Sequence, residues 1–229
     1  VFWIEPRERA IIPLESLHVS KSLRKVLHAD RFAVTVDCAF EAVIRACAQP
    51  RADHPETWIS ERIVHSYIGL HRAGHAHSVE CWLPGEDGTP SLVGGLYGVS
   101  FDRVFCGESM FSRVPDASKV ALAWLVAMMR RAGLALLDCQ FMTEHLRAMG
   151  ATELAQADYR RLVEQARGQP HDSLGTAWRH FSGGYASGVG AALGAAVGVA
   201  EGRAAGLPDA WGDGAAEPSS PGKRIVQSL

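Results

Sequence analysis

Between residues 31 and 167 the hydrophobic positions follow two different periods. A period of two runs through RFAVTVDCAF, HSVECWLP and SLVGGLYGVS and predicts strands; the last two flank the turn-rich GEDGTP and so predict a hairpin. RVFCGESMFS predicts a third strand that runs into a loop, and the apolar LALLDCQF predicts a buried strand. Helical spacing takes over in AFEAVIRACAQ and in PETWISERIVHSYIGLHRAG, where Ile59, Ile63, Tyr67 and Leu70 form one stripe that stops at Gly74. DASKVALAWLVAMMRRAG predicts a long helix that opens near Asp116 or Ser118 and closes at Gly133. TEHLRAMG and ADYRRLVEQARG predict two shorter helices. The resulting order, with strands and helices interleaved around a run of three strands, predicts an α/β (α+β) domain with a mixed sheet flanked by helices.

The pattern divides the chain into three segments. Residues 1–30 carry a basic helical stretch, 31–167 hold the periodic elements, and 168–229 are dominated by Gly, Ala, Pro and Ser, which predicts a flexible extension. Inside that extension, 182–200 is uncharged, with Gly190, Gly194 and Gly198 at the spacing of a transmembrane helix-packing motif. The run holds mainly Gly and Ala, however, and its weak hydropathy favours a low-complexity tail over a membrane span. The closing KRIVQSL leaves room for a short strand or docking segment.

Composition narrows the function without fixing it. With 47% apolar and 21% charged residues over 229 positions, the chain can bury a real core in one domain plus extras, or in two small domains. A net charge of −2 supplies no global field to attract nucleic acid, so any such binding needs a local patch. The five cysteines are Cys38, Cys47, Cys81, Cys106 and Cys139. They form no C-x-x-C pair, which predicts reduced, core-packed thiols in a cytoplasmic protein with no metal centre. His75, His77, Glu80 and Cys81 resemble a metal cluster only superficially, because no second group completes the ligand set. The opening residue is Val and no signal peptide is visible, so the chain is expected to begin inside a longer protein.

Carboxylates embedded in apolar strands are the first candidates for chemistry, because burial is costly unless they are paired or line a cleft. Glu108 sits in CGESM, and Asp138 and Gln140 in LLDCQF share one strand face with Cys139 on the other. A structural alternative stays open for each: pairing with an arginine or capping of a helix. Lys21, Arg24, Lys25 and His28 lie at i, i+3, i+4 and i+7 of a predicted helix. That stripe reads either as a solvated face or as a phosphate-contact surface. No P-loop, G-x-G-x-x-G or G-x-S-x-G motif occurs.

Longer motifs carry a resemblance. FWIEPRERAIIPLESLHVSKSLRK, TWISERIVHSYIGLHRAGHAHSVECW, LVGGLYGV, FCGESMFSR, ASKVAL and LLDCQFMTEHLRAMGA resemble the leucyl/phenylalanyl-tRNA–protein transferase family over 2–162. The resemblance implies a GNAT-like acyltransferase domain in a monomeric bacterial cytoplasmic enzyme that needs no cofactor. It implies transfer of Leu or Phe, and also Met, from aminoacyl-tRNA to proteins that begin with Arg or Lys, marking them for N-degron degradation. It further implies that aromatic-rich residues precede this chain in the family. The 168–229 tail is longer and poorer in aromatics than the resemblance leads one to expect.

Residue roles come with the resemblance. Asp138, Gln140 and Glu108 become the catalytic set: Gln140 holds the attacking amine, Asp138 orients it or accepts its proton, and Glu108 faces the acceptor's cation, with Arg113 as its competing partner. Trp58, Tyr67, Leu96, Met110, Leu122, Met129 and Leu137 become the amino-acid pocket, a set that core packing also explains in part. Lys21, Arg24, Lys25 and His28 become tRNA contacts. Two alternatives stand beside this reading. One is a CoA-dependent GNAT acetyltransferase, although SRVPDASK lacks the glycine loop that seats a pyrophosphate. The other is a non-catalytic tRNA- or peptide-binding remnant.

Overall fold

The computed structural model describes residues 5–50, 57–86, 88–182 and 220–229. Seven strands, β1 (Glu8–Ile12), β2 (Ala33–Val36), β3 (Ala76–Pro84), β4 (Pro90–Phe101), β5 (Val104–Ser112), β6 (Leu136–Gln140) and β7 (Thr152–Ala155), form one sheet. Its spatial order is β2-β3-β4-β5-β6-β1-β7. Every neighbouring pair is antiparallel except β5 with β6. That parallel pair is joined by α4 (Ala117–Ala132), because parallel neighbours need a crossover and a helix supplies it. The mixed sheet flanked by helices matches the expectation from the hydrophobic pattern.

α4 explains how the core is layered. Its sequence has almost no polar face, and Val120 through Met129 are all buried. A helix apolar all round must be covered on every side. One side packs on the sheet against Val93, Leu96, Phe105 and Leu137. The other is covered by α1 (Lys21–His28), α7 (Leu174–Ser182) and α8 (Pro221–Ser228). On the far face of the sheet, α2 (Phe40–Cys47) and α3 (Glu61–Arg72) enclose a second core around Tyr97 and Phe111. α6 (Gln156–Gln165) encloses a third around Ile11, Val104 and Leu136. The short α5 (Glu144–Ala148) connects β6 to β7.

Local signals place most boundaries. Ser20, Ser60 and Thr143 cap α1, α3 and α5 by accepting the backbone N–H three residues on. The Ser60 cap starts α3 later than the apolar stripe suggests. Gly74 and Gly133 come after α3 and α4 with positive φ, as the sequence predicts.

Two expectations need revision. β1 lies inside the sheet between β6 and β7, so the segment 1–30 is not set apart from the 31–167 domain. β5 spans Val104–Ser112 before the chain turns away, as the pattern predicts, and Glu108 is a mid-strand residue. The described parts of 168–229 hold two packed helices, α7 and α8. Trp178 of α7 is buried and donates its indole N–H to the Val34 carbonyl at 2.8 Å, which covers the edge strand β2. Ile225 of α8 is fully buried against the main core. Arg224 Nε donates to the Phe181 carbonyl at 2.7 Å, and Arg130 Nη1 to the Leu229 carbonyl at 2.9 Å. Composition missed these helices because one apolar stripe, Trp178 with Phe181 or Ile225 alone, is enough to dock a short helix on an existing core. The Gly/Ala-rich run at 183–200 lies outside the described residues. Among the described residues no helix is long and apolar enough to cross a membrane.

Candidate active site

The site forms where the parallel pair β5–β6 meets two irregularities in strand pairing. Tyr97 of β4 pairs with Ser109, but its neighbour Gly98 pairs with Gly107, so Glu108 is the extra residue of a β-bulge. The bulge breaks the alternation that sequence pattern assumes, and a carboxylate stands in a strand whose neighbours are core. Gly98 is required there: a Cβ would stand 2.2 Å from the Cys106 carbonyl oxygen and 2.4 Å from the Phe105 ring. A second shift falls between Ala10 and Ile11 of β1, which face Gln140 and Asp138 respectively.

Asp138 is fully buried, and its carboxylate is saturated. Arg9 binds it with two nitrogens, Nε to Oδ1 at 3.0 Å and Nη2 to Oδ2 at 2.6 Å. The Tyr159 hydroxyl of α6 donates to Oδ2 at 2.9 Å, the Cys106 thiol to Oδ2 at 3.4 Å, and the Gln140 backbone N–H to Oδ1 at 2.8 Å. An ionised carboxylate offers about four acceptor sites, and these donors occupy them. Burial, with the Asp138 charge as the next cause, raises the pKa of both Tyr159 and Cys106, so both groups stay protonated as donors.

Gln140 carries the site outward. Its backbone is left-handed, at φ 64, and its side-chain Nε2 donates to Glu108 Oε2 at 3.0 Å and to the Gly107 carbonyl at 3.3 Å. Glu108 also accepts a hydrogen bond from the Tyr67 hydroxyl of α3. Burial raises the pKa of Glu108, and the bonds from Gln140 and Tyr67 oppose that rise. The competing partner Arg113 does not reach Glu108. It donates to the Leu92 carbonyl at 3.0 Å and lies over the Phe111 ring.

The structure thus brings together Asp138, Gln140, Glu108 and Tyr67, all singled out on the sequence. It adds Arg9, Tyr159 and Cys106, which sequence reasoning missed. Arg9 had a signal: a charge in ERAII, a short apolar strand pattern. Tyr159 had only the weaker one of a lone aromatic in a polar helix. The apolar set separates. Leu96, Leu122, Met129 and Leu137 are buried in the main core around α4, and Met110 is half-buried against that core. Trp58 is exposed just before the Ser60 cap. Lys21, Arg24 and Lys25 face solvent and His28 is half-buried, while Leu23 and Leu27 hold α1 to the core. Of the histidine group, His77 Nδ1 bonds Asp37 Oδ2 at 2.8 Å. Glu80 is buried among Thr35, Ser78 and the Ala39 N–H that opens α2.

Residues 11–164 match the family described as leucyl/phenylalanyl-tRNA protein transferase, more than half of the 229-residue chain. The chain belongs to this family. Its curated relatives of that name include one from Novosphingobium aromaticivorans, 60% identical over 173 residues, which are 76% of this chain and 64% of the relative. One from Rhizorhabdus wittichii is 52% identical over 168 residues, covering 73% of this chain and 66% of the relative. One from Zymomonas mobilis is 52% identical over 166 residues, covering 72% and 60%. The chain therefore spans slightly less than two-thirds of the length of these family members.

Proposed function

We propose that this chain carries the catalytic part of an aminoacyltransferase. It takes Leu, Phe or Met from aminoacyl-tRNA and transfers it to the N-terminal Arg or Lys of an acceptor protein. In this reading the protein works as a cytoplasmic monomer and marks its acceptors for N-degron degradation. Family membership supports the reaction class, and the parallel β5–β6 pair with its crossover helix suits a GNAT-like acyltransferase. The observation that carries the residue assignment is the Gln140–Glu108 pair at 3.0 Å, presented by a bulge beside a saturated Asp138.

The reaction is attack of an α-amine on an activated ester. An N-terminal amine has a pKa of about 7.7–8.0, so a useful fraction is neutral without a strong base, and orientation can supply much of the rate. Gln140 meets that need with its amide oxygen, which is left to accept from the amine while Nε2 is held by Glu108 and Gly107. Glu108 supplies the negative charge that an acceptor beginning with Arg or Lys requires, and its bond from Gln140 fixes its direction. Asp138 acts through Gln140, since its own oxygens are already occupied. Met110 is the accessible edge of an apolar wall backed by Leu96, Leu122, Met129 and Leu137. Flexible Met side chains suit a pocket that takes both Leu and Phe. Trp58 borders the mouth in this reading. Lys21, Arg24, Lys25 and His28 receive phosphates of the tRNA acceptor arm.

The CoA-dependent alternative is disfavoured at α4. The residue before that helix is Asp116, in a left-handed conformation and paired with Lys119, and a carboxylate there repels a pyrophosphate. The test is incubation with labelled Phe-tRNA and an Arg-initiated peptide, with labelled acetyl-CoA and the same peptide in parallel. Transfer from the tRNA alone supports the proposal. Label from acetyl-CoA alone overturns it, and binding of charged tRNA with no transfer from either donor favours the non-catalytic reading.

A further inference from the structure

Arg9 of β1 and Tyr159 of α6 are far apart in the sequence and converge on one carboxylate. The Arg9 guanidinium meets Asp138 with a two-nitrogen fork, and its carbon lies 5.1 Å from the centre of the Tyr159 ring. Tyr159 in turn donates its hydroxyl to Oδ2, so the three groups form a closed triangle. Asp138 is inaccessible and Arg9 is partly buried, with 20% of its side chain exposed. A charge pair so desolvated adds little net stability over an apolar pair of the same shape, and its value lies in fixing geometry.

What it fixes is visible two residues on. Gln140 is one of five described non-glycine residues with positive φ, and the other four are aspartates. A glutamine in that region carries backbone strain and stays there only where its surroundings impose it. Here the imposing contact is Asp138 Oδ1, which accepts the Gln140 N–H at 2.8 Å. An aspartate accepting from the backbone two residues on is a local turn device, and it works only while the carboxylate keeps its rotamer. Arg9 and Tyr159 hold that rotamer through their own bonds to Oδ1 and Oδ2.

We propose that Arg9 and Tyr159 are positioning residues for Gln140. Through the Asp138 carboxylate they lock the left-handed backbone of Gln140 and so aim its amide at the reacting amine. The proposal rests on the aminoacyl-transfer reading for its last step only; the lock itself is a property of the free protein. It also makes β1 part of the machinery, although β1 carries no group that meets substrate.

The experiment has two arms, using Arg9→Lys and Tyr159→Phe, which keep charge and ring while losing the fork and the hydroxyl. In the first, without substrate, the backbone and side-chain amide signals of Gln140 are tracked by ¹⁵N NMR. Both variants are expected to move these signals and speed exchange of the Gln140 N–H, while amides of β3 and β4 stay in place. Gln140 signals that do not move overturn the proposal. In the second, single-turnover transfer from Phe-tRNA is measured in each variant, in Gln140→Ala, and in the combinations. Misaligning a reacting group by about an ångström costs up to about 100-fold, so Arg9→Lys is expected to lower the rate between ten- and a hundred-fold with tRNA affinity unchanged. In the Gln140→Ala background the same substitution is expected to cost nothing further. A loss that is as large there as in the wild type overturns the proposal, because Arg9 then acts independently of Gln140. If the wild type transfers nothing, the functional reading falls, and the NMR arm still decides the lock.

Discussion

Gln140 Nε2 donates to Glu108 Oε2 at 3.0 Å across the junction of β5 and β6. Glu108 is half-buried, and burial raises its pKa while the bond from Gln140 opposes that rise.

Glu108→Gln is expected to weaken the use of Arg- and Lys-initiated acceptors far more than the binding of tRNA. Removing one charge-assisted hydrogen bond of about 1.5–3 kcal/mol lowers kcat/KM for the peptide by roughly ten-fold or more. Steady-state kinetics with an Arg-initiated peptide, beside equilibrium binding of charged tRNA, separates the two. Equal losses in both would remove Glu108 from the acceptor site.

The basic face of α1 predicts a salt effect. Each phosphate left without its cationic partner reduces the slope of log K against log salt by about 0.7–0.9, so replacing Lys21, Arg24 and Lys25 together with Ala is expected to reduce it by roughly 2–3. Unchanged tRNA affinity at low salt in this variant assigns the stripe to solvent.

Glu80 sets a pH dependence of stability. Burial raises its pKa, with hydrogen bonds from Ser78 and Thr35 opposing, so between the unfolded value of about 4.3 and its folded value the native state holds a proton that the unfolded chain has released. The stability from this group is full below the unfolded value and is lost as pH rises through the folded one. Glu80→Gln keeps an acceptor for one hydroxyl and donates to the other. Its urea midpoint is expected to fall less than that of the wild type as pH increases from about 5 to 7; an identical fall would show that other groups set the slope.

The C-terminal helix is a stability element. Ile225 is fully buried, so Ile225→Ala is expected to cost about 2–5 kcal/mol, the range for a large aliphatic residue truncated in a core. Urea unfolding monitored by the fluorescence of the buried Trp124 and Trp178 measures it. A change within about 0.5 kcal/mol, the usual range for surface substitutions, would mean that α8 is not docked in solution.

Legibility in the sequence tracked local periodicity. The strands β2 to β6 and the helices α2 to α6 repeat apolar residues at their own periods, and the polar intruders Glu108, Asp138 and Gln140 stand out because such runs tolerate few of them. β1 and β7 escaped because ERAII and TELA are short and partly charged, and their stability comes from neighbours already in the sheet. α7 and α8 escaped because composition averages over a segment, whereas docking depends on single residues such as Trp178 and Ile225.

By itself, then, the sequence determined the order of the main elements, the long apolar helix and three residues of the candidate site, since local period and an out-of-place polar group are both written in adjacent positions. Only the tertiary structure decided what those residues do to one another. The bulge that turns Glu108 toward Gln140, and the meeting of Arg9 and Tyr159 on Asp138 from positions 129 and 21 residues away, depend on strand register and layer packing. Those are set by the whole sheet, which no local stretch of the chain encodes.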